Sequence, residues 1–130
     1  MLREKIFKEL DEHFVKDMLM TPATIQNENE RHYNDEHLSI IFVWQHNGTN
    51  EGGLLYVKDT LRILIRNWKT KKSFSKNVKI EFILDKQGLV SFIKEVVYQN
   101  SGVESRDILN DWYEIKKVEI RDKKISDLGI

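Results

Sequence analysis

The chain has 130 residues, 40% of them hydrophobic and 10% aromatic, with six glycines, one proline and no cysteine. That is enough to bury the core of one domain without a covalent staple, leaves little scope for long disorder, and excludes disulfides, thiolate nucleophiles and cysteine-based metal sites. Basic and acidic residues balance at 21 each, so no global field invites a polyanion, although residues 1–50 hold 5 basic and 9 acidic side chains, 51–100 hold 10 and 5, and 101–130 hold 6 and 7.

Leu2 to Leu19 reads as an amphipathic helix. Phe7, Leu10, Phe14 and Met18 recur at three- and four-residue spacing, Ile6 and Val15 widen the stripe, and Lys5, Glu9, Glu12 and Lys16 take the other side. Thr21-Pro22 stops it, because proline disfavours helical geometry in the residue before it. The charges of this opening segment break up any apolar run, which argues against a signal-peptide core. No stretch approaches the roughly 20 apolar residues of a membrane span. A cytoplasmic location is the expectation.

Ala23 to His37 is polar and aperiodic, a loop or a ragged edge strand. Leu38 to Trp44 is short, β-branched and aromatic, as a buried strand is, and His46 to Gly53 is turn chemistry. Leu54 to Trp68 admits two periods. A helix gathers Val57, Leu61, Leu64, Ile65 and Trp68 but strands Ile63, whereas a strand aligns Leu61, Ile63 and Ile65. The helix accounts for more apolar residues, which predicts a short strand at 54–56 and a helix from about Lys58.

Val78 to Leu84 alternates as a half-buried strand, Asp85-Lys86-Gln87-Gly88 reads as a turn, and Leu89 to Tyr98 as a second strand. The result is an antiparallel hairpin at about 78–98. The rival is a helix, since Leu89, Phe92, Ile93, Val96 and Val97 also share a helical face. A last helix is expected from about Ser105, with Ser105 as cap, Asp107 in the first turn, and Ile108, Leu109, Trp112 and Ile115 as its buried stripe. Residues 121–130 read as a mixed-charge tail. The predicted class is α+β in a single domain, with an antiparallel sheet and helices packed on one face.

Chemistry-bearing patterns are sparse. His32 and His37, near Glu30, Asp35 and Glu36, offer metal-ligand types, but their five-residue gap lies in an irregular segment, so no metal is expected. His13 and His46 read as surface residues. No nucleophile elbow or phosphate-binding glycine loop accompanies the serines and glycines, and a non-enzymatic protein without a cofactor is expected. Arg62, Arg66, Lys69, Lys71, Lys72 and Lys76, interleaved with Trp68 and Phe74, form the strongest basic feature and the candidate nucleic-acid contact. Glu28, Glu30, Asp35 and Glu36 beside Tyr33 form an acidic cluster able to steer a basic protein surface.

The strand Val78–Leu84, the turn Asp85–Gly88, the following apolar run and, after Gly102, the segment Asp107-Ile108-Leu109-Asn110-Asp111-Trp112-Tyr113-Glu114 together resemble the YezG-like family of bacterial immunity (antitoxin) proteins. The resemblance spans about residues 78–116, with a looser likeness at the first helix. It implies an immunity protein that binds and occludes a cognate protein toxin, with Glu28, Glu30, Tyr33, Asp35 and Glu36 as the expected contacts if that toxin is cationic. The alternatives are a nucleic-acid-binding module using Arg62, Arg66, Lys69, Lys71 and Lys72, or a small ligand-binding domain or enzyme whose site is assembled from distant residues.

Overall fold

The computed structural model describes residues 2–23, 27–51, 54–69, 71, 73–80, 85–100 and 108–127. The first helix, α1, runs Leu2–Asp11 and passes directly into a π-helical segment, Glu12–Asp17. Ile6, Phe7, Leu10, Phe14 and Met18 are buried as their spacing predicts. The helical run ends at Met18, whose N–H bonds the His13 carbonyl at 2.9 Å. Leu19 follows at φ 58°, a left-handed stop that turns the chain before Pro22 can act on it.

Among the described residues five antiparallel strands follow in simple sequential order: β1 Thr21–Pro22, β2 Glu30–Asn34, β3 Leu38–Glu51, β4 Leu54–Asn67 and β5 Ser73–Lys79. The expected helix from Lys58 does not form, because Leu54–Asn67 is one strand paired along its whole length with β3. Cross-strand pairing overrides the local helical period here. Leu61, Ile63 and Ile65 lie fully buried opposite Trp44, Phe42 and Ile40, and the residue a helix would have stranded, Ile63, is central to the core. His46 to Glu51, expected as a turn, extends β3 instead.

The expected hairpin at 78–98 is also corrected. β5 ends at Lys79, and Lys86–Asn100 is a helix, α2, with Leu89, Ile93, Val96 and Val97 buried at helical spacing. The supposed turn is a helix cap: Asp85 Oδ1 accepts the Gly88 N–H at 2.7 Å, and the Asp85 carbonyl accepts Leu89 N–H at 2.9 Å. The last helix, α3, runs Ile108–Asp127, so residues 121–127 are helical rather than a loose tail. Leu109 and Trp112 are buried on it as expected, but Ile115 is exposed and Lys116 takes the buried position. Ser105, Asp107 and the strand expected at residues 81–84 lie outside the described residues.

The helices cover one face of the sheet. Tyr33, Leu38, Ile40, Phe42, Trp44, Leu61, Ile63, Ile65 and Phe74 point into them, and Phe14 stacks against Tyr33 with ring centroids 5.3 Å apart. The chain is α+β. None of its described helices is long and apolar enough to cross a membrane.

Candidate functional site

Three places gather polar or exposed apolar groups, and the acidic cluster does not survive intact among them. Tyr33 is wholly buried, and its hydroxyl donates to the Asp11 carboxylate. That burial raises the phenol well above its usual pKa. Asp35 is an internal tie. Its Oδ1 accepts the backbone N–H groups of His37 and Leu38 at 2.8 and 2.9 Å, while Oδ2 accepts the Trp112 indole N–H at 2.6 Å and lies 3.5 Å from Lys116 Nζ. Both side chains of that ion pair are 7% exposed. Glu28, Glu30 and Glu36 stay outside the core, Glu28 lying 3.9 Å from Arg3 and Glu36 3.5 Å from His37, while Asn27 donates to Glu30 at 2.5 Å. The expected five-residue contact therefore does not form one surface.

The first place lies beside Asp35, where Glu36, His37 and Glu119 bring ligand atoms within 4.8 Å of one another. His37 Nε2 meets Glu119 Oε1 at 2.7 Å and Glu36 Oε1 at 3.5 Å. The hydrogen bond from His37, reinforced by Lys116 at 3.6 Å, holds the Glu119 carboxyl below its usual pKa. This cluster already carries its own counter-charges, so the arrangement is complete as an ion-pair network joining α3 to the turn before β3.

The second place is the outward face of the sheet. Rows of side chains run across it in register: His32, Ile41, Leu64 and Ser75, then Glu30, Val43, Arg62 and Asn77, then Asn34, Ser39, Arg66 and Ser73. Ile41, Val43 and Leu64 are half-buried down its middle, while Arg62 and Arg66 are exposed. A depression of about 360 Å³ lies over Ile41, Leu64, Arg66 and Lys71. The basic segment is thus split: Arg62 and Arg66 share this face through strand alternation rather than helical spacing, Lys69 and Lys71 sit in the connection after β4, and Lys76 projects from the other side of β5. Lys72 lies outside the described residues. Trp68, which a helix would have buried, is 38% exposed, with the Arg66 guanidinium 5.6 Å from its ring centroid.

The third place has no local signature in the sequence. The π-helical segment turns His13 inward, against the expectation of a surface residue, and its Nε2 shares a 2.7 Å hydrogen bond with the Tyr113 hydroxyl. Desolvation lowers the His13 pKa to about 4, with Asp17 opposing the change and Lys94 and Lys86 adding to it. Burial raises the Tyr113 phenol, and Lys94 Nζ lies 4.1 Å from its ring centroid. The pair is therefore neutral near pH 7 and satisfied within itself. Among the described residues no buried side-chain nitrogen or oxygen lacks a partner. One signal was available: Tyr113, Lys117, Ile120, Arg121 and Lys124 fall on one helical stripe, visible once residues 121–127 are read as helix.

No protein-family model matches the chain, and comparison with curated proteins and with solved structures yields no match either.

Proposed function

We propose that this chain is a non-catalytic immunity protein that occludes a cognate toxin, and that the toxin docks on the outward sheet face. The observation that carries this reading is the exposed pleated surface itself, where Ile41, Val43 and Leu64 form a half-buried apolar seam beside Arg62 and Arg66, with no described element over it. Apolar centres ringed by polar groups and arginines are the ordinary anatomy of a protein interface. The immunity assignment rests on the resemblance at the terminal helix, since the hairpin it also implied is absent.

The test begins with a tagged chain recovered from its native cell under a moderate-salt wash. The expected result is one stoichiometric protein that arrests growth when expressed alone and is neutralised by co-expression of this chain. The double variant I41K/L64K should weaken that complex at least 100-fold with little change in Tm. A harmless partner, or a complex indifferent to the substitutions, sinks the reading.

One observation favours a second reading, nucleic-acid binding: Arg62 and Arg66 share the exposed face and Arg66 covers the exposed Trp68 ring. It predicts single-strand affinity that falls steeply with salt and is lost in R62A/R66A. Failure to bind a polyanion column at low salt removes it.

A further inference from the structure

The helical layer, on the opposite side from the outward sheet face, carries a groove of about 530 Å³ where the π-helical segment, α2 and α3 meet. Its size falls in the range of roughly 300–1,000 Å³ typical of small-ligand sites. Met18, Val90 and Ile120 supply an aliphatic floor, continued by the rings of His13 and Tyr113. Because that ring pair is uncharged and bonded to itself, the floor behaves as apolar surface.

The rim has the opposite character. Lys94 from α2 and Lys117, Arg121 and Lys124 from α3 line it, with no acidic side chain among the lining residues. Two of these cations have acidic neighbours outside the groove. Lys117 lies 3.2 Å from Glu114 and Arg121 lies 3.7 Å from Asp122, all four side chains being well exposed. Such surface pairs are weak and are readily exchanged for a better-placed anion. The combination of an aliphatic floor and a cationic rim selects a molecule with an apolar body and an anionic head.

The shape selects further. A surface that inserts into a bilayer carries apolar side chains that project past its cations, whereas here Met18 is buried and Val90 and Ile120 are half-buried beneath exposed lysines and arginine. We propose that the groove binds a free single-chain anionic amphiphile, with a fatty carboxylate as its simplest representative. Its chain lies along Met18, Val90 and Ile120, and its head lies among Lys117, Arg121 and Lys124. The site is independent of the toxin-binding reading and occupies a different face.

Sodium decanoate, kept below its micellar concentration, is the probe, with decanol as the uncharged molecule of equal chain length. Calorimetry should show saturable 1:1 binding of decanoate at least tenfold tighter than decanol, with chemical-shift changes at the Met18 and Val90 methyls. The exposed triple reversal K117E/R121E/K124E should weaken decanoate at least tenfold while leaving Tm and the affinity for decanol nearly unchanged. Equal affinity for the two probes, or no saturable binding, overturns the proposal. Association with phosphatidylglycerol vesicles but not with free decanoate also overturns it, in favour of a bilayer surface.

Discussion

His13 shows how much one side chain's surroundings change its chemistry. A solvated histidine titrates near 6.5, and here burial holds the folded-state value at about 4. The unfolded chain therefore binds a proton that the folded chain refuses between those two values, so this residue's contribution is complete above pH 6.5 and is lost as pH falls toward 4. The full effect is about 3 kcal/mol at most, because a tenfold change in proton affinity is worth about 1.4 kcal/mol. Solvent reaching the ring edge trims it. Denaturant unfolding at pH 7 and pH 4.5 should show the native chain losing more stability than His13→Gln by about 2 kcal/mol. Parallel losses in the two proteins would show that the imidazole stays solvated.

At the scale of elements, the errors of sequence reading share a cause. The first helix was legible because its period is local and repeated over four turns. Residues 54–67 were not, since the deciding interaction is pairing with residues 38–51, and non-local pairing leaves no local period. Asp85 was misread because the same carboxylate chemistry closes a turn and caps a helix. The candidate groove stays hidden while 121–130 is read as a tail, which removes Arg121 and Lys124 from any stripe. The stop after the π-helical segment makes its own prediction. Leu19 sits at φ 58° and 40% exposed between buried Met18 and Met20, a backbone position that costs a β-carbon-bearing residue about 1 kcal/mol. Leu19→Gly should therefore raise the urea midpoint, stabilising the chain by about 0.5 kcal/mol after the added freedom of the unfolded state is counted. A lower midpoint would show that the Leu19 side chain contributes more than its backbone costs.

Across the whole molecule, Asp35 joins the turn before β3 to a helix 77 residues later in the chain. Removing its carboxylate leaves the buried Lys116 ammonium with Glu119 alone and the Trp112 indole without its acceptor, a loss of about 3 kcal/mol. Against a typical total of about 5–15 kcal/mol, Asp35→Ala should lower the global unfolding midpoint sharply while keeping one transition. Two separated transitions, with α3 released first, would show that the tie serves the helix alone.

The outer members of the sheet bear on how its borders meet other strands. On one side the sheet ends in the two residues Thr21–Pro22, where proline offers no N–H to a newcomer. On the other it ends in β5, which carries exposed Lys76 and Lys79. Two copies meeting along β5 would bring like charges together. Along the β1 and β5 borders the sheet can thus leave one broad face uncovered without inviting strand-by-strand polymerisation.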